Sequence, residues 1–166
     1  MVLLCLYIKC TLENIKQISF PLSTSFVFDL KDPTGYEERH SCEIDPSNLD
    51  EIVNSRGEAH FTIKFEGQQR QSTITMIEEV KNVLKRDQRY VEEDSDAFVC
   101  VRAFECRGVD ITKWDCLGPF VVESVKGTVY EDVNFDEDWY EYCEKGQETV
   151  AITDFEYEFR VEKSAK

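Results

Sequence analysis

Alternating apolar and polar positions run through most of the chain. Successive side chains of a strand point to opposite faces, so each such run predicts a strand with one buried side. Four runs have this period: residues 2–12, 26–30, 58–66 and 149–162. Shorter and more continuously apolar runs predict strands that are buried on both faces. There are three of these: residues 97–105, 119–122 and 128–133.

Helical patterns are few. Residues 72–77 are strand-like and predict a strand that ends near Ile77, followed by a loop or a short helix. Residues 45–48 predict the cap of a single helical turn over residues 48–53. The polar stretch 85–96 predicts an exposed connection. Many short strands with few short helices predict an all-β fold, a sandwich or barrel of antiparallel sheets.

A faint internal repeat bears on the domain organisation. In residues 10–15 and again in residues 103–109, a predicted strand contains a glutamate near its end and is followed by a predicted turn. This echo suggests two related halves, residues 1–84 and 97–166, in a pseudo-twofold arrangement joined by residues 85–96. The length of 166 residues suits one compact β domain that spans residues 1–166.

The charge of the chain excludes several functions. Asp and Glu number 34 against 19 Lys and Arg, which gives a net charge of −15. Phosphate backbones and anionic membranes are bound through Lys and Arg, so we expect neither nucleic acid nor a membrane as a partner. No run of apolar residues is long enough for a transmembrane helix.

The seven cysteines point to a reducing compartment. Their number is odd and no two have CxxC spacing. The apolar opening of the chain lacks the basic start and the cleavage site of a secretory signal. We therefore expect reduced thiols and a cytoplasmic or nuclear protein.

Several short motifs, taken together and in order, carry a resemblance. They are Thr11–Ile15, Asn54–Gly57, Phe104–Val109, Asp132–Asn134, Asp138–Trp139 and the run from Tyr142 to Val150. The chain resembles, over almost its whole length, the eukaryotic CXXC motif-containing zinc-binding protein family, whose function is poorly defined. The resemblance implies a soluble, intracellular all-β protein of two related halves without an established catalytic activity. The motif residues for which we expect structural roles are Glu13, Asn14, Arg56, Gly57, Glu105, Arg107 and Gly108.

The family is named for two CxxC pairs that bind one zinc ion, and this sequence differs there. At the positions that the resemblance implies for the four thiolates it has Asp32, Gly35, Phe65 and Gln68. Structural zinc needs four sulfur, nitrogen or oxygen ligands, and Asp32 alone cannot hold the ion. We therefore expect no zinc and no other cofactor at this site, with turn sequences and hydrophobic strand pairing in its place.

Other metal sites are weakly supported. His40 and Cys42 could ligate zinc or copper, but a polar loop with one half-buried thiol explains the pair as well. Three more cysteines, Cys100, Cys106 and Cys116, could meet across neighbouring strands, although core packing is the usual role of free cysteine. The acidic spacing in residues 132–138 imitates a calcium loop, but the required glycine and final glutamate are missing.

No catalytic motif is present, and we expect no enzyme. Glu13 and Glu105 end the two echoing strands and could pair, but carboxylates at matching positions of two halves more often bond turn amides or pair with Arg56 and Arg107. His60 falls on the polar side of an alternating run, where a solvated side chain is expected.

The most suggestive local feature is the acidic, aromatic segment 130–144. It contains seven Asp and Glu and five aromatic residues, with no basic residue before Lys145. Carboxylates beside aromatics suit a docking face for a basic partner, since aromatics anchor interfaces and charge steers encounter. Equally, the segment could be a solvated loop with its aromatics folded inward. The residues that we expect at such a face are Asp136, Asp138, Trp139 and Glu141.

Three functions follow from these patterns, in decreasing order of support. The first is a monomeric, non-enzymatic protein-interaction module that binds a basic protein partner. The second is zinc or copper binding, or thiol-based metal handling, which would place stoichiometric metal in the purified protein. The third, small-ligand or carbohydrate binding in a groove of the sandwich, rests on fold analogy alone.

Overall fold

The computed structural model describes residues 2–52 and 57–162, and these form fifteen β-strands and one short 3₁₀ turn, Glu92–Asp94. No α-helix occurs within these two segments. The all-β prediction is therefore confirmed. The strands are β1 (Val2–Glu13), β2 (Ile15–Ser19), β3 (Phe26–Lys31), β4 (Glu38–Ile44), β5 (Asp50–Glu51), β6 (Glu58–Ala59), β7 (Phe61–Ile63), β8 (Ser72–Ile77), β9 (Arg89–Val91), β10 (Val99–Arg107), β11 (Asp110–Trp114), β12 (Phe120–Ser124), β13 (Val129–Val133), β14 (Trp139–Cys143) and β15 (Glu148–Glu162).

A six-stranded antiparallel sheet, in the order β14-β15-β1-β10-β8-β7, forms the centre of the fold. Two smaller sheets, β11-β3-β4 and β13-β12-β2-β9, and a two-stranded β5-β6 ribbon complete it. The two longest strands are neighbours, with Leu3 opposite Glu162 and Glu13 opposite Ala151. Strands β1 and β15 follow the predicted alternating runs to within a residue at either end, because alternation reports one-sided burial directly.

The strand order has an approximate twofold symmetry. Strands β1 and β10 are paired at the centre of the large sheet, β15 and β8 lie outside them, and β14 and β7 form the edges. Strand β2 of the first half pairs with β12 of the second half, and β11 of the second half pairs with β3 of the first. Each half therefore contributes one strand to the small sheet of the other half. The two echoing segments correspond: both β1 and β10 end at a left-handed residue, Asn14 (φ 56°) and Gly108 (φ 70°).

The main core lies between the large sheet and the two small ones and is rich in aromatic side chains. Phe26 packs edge-on against Phe104 at 5.4 Å between ring centroids, and Phe28 does so at 5.0 Å. Trp114 packs at 6.0 Å from Phe120. All five rings are almost fully buried. Burial of side chains of this size is the main stabilising contribution in such a sheet packing.

A second, smaller apolar cluster covers the opposite side of the large sheet. Its buried members are Leu3, Cys5, Val80, Leu84, Cys100 and Ala103. Residues 78–84 form a turn closed by a Val80–Leu84 bridge, and its apolar side chains lie in this cluster. The loop or short helix predicted after Ile77 is thus a turn. No helix capable of crossing a membrane is found in the described residues.

Two local expectations were wrong. The described part of residues 48–53 contains no helical turn: residues 45–48 form a turn in which Asp45 accepts the N–H of Ser47, and Asp50–Glu51 is strand β5. Val53 lies outside the described residues. Residues 85–96 are not simply an exposed connection, because they contain β9 and the fully buried Tyr90.

Tyr90 attaches the polar stretch 85–96 to strand β1. Its hydroxyl lies 2.7 Å from the carbonyl oxygens of both Asp94 and Ala97, and 3.2 Å from that of Cys10. A buried hydroxyl needs such partners, since burial without them is costly. One aromatic among polar neighbours gives no periodic signal, which is why the pattern did not reveal the strand.

Burial of the shorter strands follows the prediction only in part. Strand β10 is buried on both faces over most of its length, as expected. Strand β12 alternates between buried and half-buried positions, and β13 is mostly exposed apart from Val133. Strand β13 is the outermost strand of its sheet, so it has a neighbouring strand on one side only.

Candidate functional site

The two turns at which the resemblance implies the family's ligand positions are hydrogen-bonded to each other. One, Asp32–Gly35, joins β3 to β4, and the other, Phe65–Gln68, joins β7 to β8. The backbone N–H of Glu66 donates to Glu37 Oε1 at 2.9 Å, and this bond lowers the pKa of the Glu37 carboxyl. Each turn is also closed internally, by the N–H of Gly35 to the carbonyl of Asp32 and by that of Gln68 to the carbonyl of Phe65.

In the first turn the carboxylate of Asp32 bonds to its own turn. Asp32 is buried, and its Oδ1 accepts the Thr34 N–H at 3.0 Å and the Thr34 hydroxyl at 3.1 Å. This is the local turn geometry that aspartate favours. A Cβ built on Gly35 would lie 2.7 Å from Asp32 Oδ2, so the carboxylate occupies the space that a side chain at residue 35 would need.

The second turn is closed by an apolar side chain and an amide. Phe65 is almost completely buried and belongs to the main core. Gln68 Oε1 accepts the Phe65 N–H at 3.2 Å and the Ser72 hydroxyl at 3.0 Å. A phenyl ring and a glycine supply no ligand atom, and the remaining carboxylate and amide are already bonded. The four side chains therefore do not fit a tetrahedral zinc site.

Within residues 2–52 and 57–162, no three His, Cys, Asp or Glu side chains are grouped so that they could hold a metal ion. Cys100 and Cys106 lie at opposite ends of β10, opposite Tyr7 and Val2 of β1. Cys116 lies beyond β11, so these three thiols do not meet, and Cys100 and Cys106 are buried as the favoured core-packing interpretation expected. His40 is exposed and pairs with Asp29 at 3.2 Å, while Cys42 is half-buried.

The pairing of the two echoing glutamates was also not found. Glu13 ends β1 opposite Ala151, whereas Glu105 lies opposite Leu3 at the other end of that strand. Ten residues of strand separate the two positions, about 33 Å. Glu105 instead forms an ion pair with Arg107 at 3.0 Å. Arg56 lies outside the described residues.

The remaining motif residues lie at chain turns. Gly108 takes a left-handed conformation and its carbonyl accepts the Ser72 hydroxyl at 2.6 Å. Asn14 takes the equivalent conformation after β1, and its Nδ2 donates to the carbonyl of Thr149 at 2.9 Å. Only glycine and, less readily, asparagine adopt this conformation at low cost. The carbonyl of Gly57 accepts the Ile52 N–H at 3.1 Å.

His60 is not the freely solvated side chain that its polar position predicted. Its Nδ1 accepts the backbone N–H of Met76 at 2.8 Å, and partial burial lowers the pKa of the imidazole. The expected alternation is interrupted here, because β6 ends at Ala59 and β7 begins at Phe61. The histidine thus closes a break between two strand segments.

The acidic, aromatic segment 130–144 is divided between core and surface. Phe135 is buried between Phe120 and Phe155, stacked at 4.9 Å and 4.6 Å. Trp139 is half-buried and packs edge-on against Tyr130 at 5.2 Å. The remaining two aromatics and three of the acids named above are exposed: Tyr140, Tyr142, Asp136, Asp138 and Glu141. The inward-folded interpretation therefore holds for Phe135, and docking of a partner at the exposed residues stays a prediction.

One end of that segment borders an open groove of about 890 Å³. Trp114, Phe135, Phe155 and Tyr157 give it an aromatic lining, with Trp114 at 5.9 Å from Phe155 and 5.4 Å from Tyr157. The groove also contains four carboxylates, one lysine and one histidine. These are Asp29, Asp115, Asp136, Glu156, Lys113 and His40. We refer to this as the acidic aromatic groove.

Backbone and side-chain bonds hold the groove together. The N–H of Phe135 donates to the carbonyl of Cys116 at 2.8 Å, and the N–H of Trp114 donates to the Tyr157 hydroxyl at 3.0 Å. Burial, followed by the nearby carboxylates Asp115 and Asp136, raises the pKa of the Cys116 thiol to about 12. That thiol is therefore a neutral part of the lining at physiological pH.

Two further features of the groove concern its polar groups. The N–H of Ser41 donates to Asp29 at 2.9 Å, and this bond, followed by the contact with His40, lowers the pKa of the Asp29 carboxyl. Asp29 therefore stays charged. The buried indole N–H of Trp114 has no hydrogen-bond partner among the described residues. Sequence reasoning placed only Asp136 of this groove among the docking residues, and considered His40 and Cys116 only as possible metal ligands, because the lining is contributed by distant strands.

Comparison with known proteins decides the family. The model of the eukaryotic CXXC motif containing zinc binding protein family matches residues 5–160. The chain belongs to this family. It is 31% identical over 161 residues to the human CXXC motif containing zinc binding protein, covering 94% of this chain and 96% of that one. The recognition made from the sequence motifs is thereby confirmed.

Solved structures of similar proteins have the same fold. A hypothetical protein from Plasmodium falciparum has a TM-score of 0.85 and 32% identity, covering 96% of this chain and all of that one. The crystal structure of C1orf123 has a TM-score of 0.81 and 27% identity, covering 96% and 99%. This CXXC-family chain thus shares both its length and its architecture with its relatives.

Proposed function

We propose that this CXXC-family member is a protein-interaction module that binds a basic segment of a partner protein and carries out no chemistry of its own. The observation that supports this most strongly is the composition of the acidic aromatic groove. Four carboxylates and one lysine surround a lining of four aromatic side chains. Aromatic anchors in a partly buried surface supply binding energy, and complementary charge supplies steering and specificity.

The residues first proposed as a docking face contribute unequally to this surface. Asp136 lines the groove. Asp138 is exposed, but its Oδ1 accepts the N–H of Asp154 at 3.2 Å and so also holds the segment to β15. Trp139 and Glu141 lie farther along β14, where Trp139 packs against Tyr130. We therefore propose Asp136, together with Asp115, as the main charged contacts and Trp139 and Glu141 as an extension.

We further propose that this protein works without zinc at the two turns. The names of its relatives state zinc binding, and that property is theirs. Here Asp32 is bonded to Thr34, Phe65 is packed in the core, and Gln68 closes its own turn. Metal handling is the competing function. Elemental analysis of protein purified without a metal-binding tag separates the two: we expect less than about a tenth of an equivalent of zinc or copper, whereas metal handling requires about one.

The interaction function is tested by charge reversal in the groove. The variant Asp115→Lys/Asp136→Lys reverses one half-exposed and one exposed carboxylate, neither of which forms an ion pair within the described part of the chain. The matched control Glu79→Lys/Glu93→Lys makes the same change in net charge at exposed positions away from the groove. Proteins retained by the wild type and the control from cell extract, but lost by the groove variant, are expected. Identical sets of retained proteins for all three would contradict the proposal.

A further inference from the structure

Strand β15 is longer than its neighbour on one side, and this leaves part of its edge without a partner. Strand β1 pairs with residues 151–162 of β15, but β14 pairs only with residues 148–152. Among residues 2–52 and 57–162, no strand pairs with residues 153–162 on the side away from β1. Asp138 Oδ1 accepts the N–H of Asp154 at 3.2 Å, so the free edge begins after this residue. About half of the backbone N–H and C=O groups of residues 155–162 therefore point away from the sheet.

The free edge borders the acidic aromatic groove. Phe155, Glu156 and Tyr157 belong to this edge and also line the groove. The aromatic side chains of β15 face the small sheet, since Tyr157 contacts Trp114 at 5.4 Å and Phe159 contacts Phe28 at 5.8 Å. A strand added beside β15 would therefore present every second side chain to the groove and the others to the outer face.

The charges on both sides of such a strand are mostly negative. Between its aromatic side chains β15 carries Asp154, Glu156 and Glu158, of which Glu156 also lines the groove. Glu156 pairs with Lys9 of β1 at 3.7 Å, and Glu158 pairs with Arg160 at 3.0 Å. The other carboxylates on the groove side are Asp29, Asp115 and Asp136. Opposite charges directly across a strand pair stabilise it and like charges destabilise it. A second copy of this chain, with a net charge of −15, would bring the same carboxylates to the edge and is disfavoured.

We infer that the free edge of β15, residues 155–162, accepts an extended basic segment of a partner protein as an additional strand, with alternate side chains entering the acidic aromatic groove. This inference rests on the proposed function and specifies how the partner is held. Main-chain hydrogen bonds to a sheet edge provide affinity, while pockets for alternate side chains provide specificity. Binding in the groove without strand addition would require only charge and apolar contact. An experiment that removes the main-chain hydrogen bonds therefore separates the two modes of binding.

The test uses capped eight-residue peptides of alternating lysine and valine. A second peptide has the same sequence but carries N-methyl groups on four residues, two on each edge, which preserves charge and side chains and prevents strand addition by either edge. Binding to the wild-type protein is measured by calorimetry. We expect N-methylation to weaken binding roughly tenfold or more, because the main-chain hydrogen bonds are lost.

Amide hydrogen exchange supplies the second measurement. Binding of the unmethylated peptide is expected to slow exchange at alternate residues of 155–162, those whose N–H groups point away from β1. Equal affinity of the two peptides, or binding without slowed exchange in this stretch, would overturn strand addition. If both peptides bind equally and both lose binding to Asp115→Lys/Asp136→Lys, the proposed function stands without strand addition. Both proposals fail if neither peptide binds and if the wild type and Asp115→Lys/Asp136→Lys retain the same proteins from cell extract.

Discussion

Phe135 and Phe155 stack face to face, with ring centroids 4.6 Å apart and an angle of 13° between their planes. One belongs to the link between β13 and β14 and the other to β15. This contact brings the acidic segment that includes Asp136 to the free edge of β15. The arrangement of the acidic aromatic groove therefore depends on an apolar contact, whereas the proposed recognition depends on the charges beside it.

Removal of this contact should destabilise the whole fold. Phe135 is 4% exposed and stacks on two rings, so Phe135→Ala is expected to lower the free energy of unfolding by about 3–5 kcal/mol. Tyr140 is 59% exposed on the neighbouring strand β14, and Tyr140→Ala should change the free energy of unfolding by less than about 1 kcal/mol. Urea denaturation measures both. Similar losses for the two variants would show that the segment is not anchored through Phe135.

The two linked turns should form a metal site when four thiolates are introduced into them. The variant Asp32→Cys/Gly35→Cys/Phe65→Cys/Gln68→Cys is expected to bind about one equivalent of zinc, since four thiolates form a structural zinc site. The change at Gly35 requires the change at Asp32, whose carboxylate lies 2.7 Å from the position of the new Cβ.

A matched control introduces only one of the two cysteine pairs. Asp32→Cys/Gly35→Cys supplies two ligands and should bind zinc far more weakly than the fourfold variant. Elemental analysis after dialysis measures both. Equal zinc contents would mean that Phe65 and Gln68 are not at the second ligand pair, and the positional correspondence would have to be revised.

The hydrogen bond at His60 predicts a pH dependence of stability. The pKa of the partly buried imidazole is lowered from about 6.5, and Nδ1 accepts the Met76 N–H only when it is unprotonated. Above about pH 6.5 neither folded nor unfolded protein carries this proton, and the stabilisation is complete. As the pH falls below that value the unfolded chain binds a proton first, so the free energy of unfolding decreases.

His60→Asn keeps an acceptor without a titrating group and isolates this effect. Between about pH 7.5 and about pH 5.5, the wild type should lose more stability than the variant, because all other titrating groups are shared. Denaturant unfolding at the two pH values provides the comparison, and titration of the imidazole by NMR gives the pKa directly. Equal losses for the two proteins would contradict the assigned role of His60.

The structural features that the sequence predicted best are those whose pattern repeats along the chain. Strands β1 and β15 were recovered almost completely because one-sided burial produces alternation. The echo between residues 10–15 and 103–109 pointed to the two left-handed corners at Asn14 and Gly108. The approximate twofold symmetry of the strand order is the structural basis of that echo.

What the sequence could not predict is the meeting of distant residues. Asp29, Asp115 and Glu156 each appear in the sequence as ordinary surface acids of separate strands or loops, and only the pairing of β11 with β3 and the packing against β15 bring them together. Tyr90 was missed for a related reason, since its hydroxyl is satisfied by carbonyls of residues 10, 94 and 97. Non-local contacts of this kind leave no periodic signal.

The central claim, recognition of a basic segment by the acidic aromatic groove, is tested most directly by titration of the alternating lysine–valine peptide into three proteins. The account predicts that Asp115→Lys/Asp136→Lys weakens binding roughly tenfold or more relative to the wild type, that Glu79→Lys/Glu93→Lys does not, and that added salt reduces wild-type affinity. Equal affinities for the groove variant and the surface control would contradict the claim.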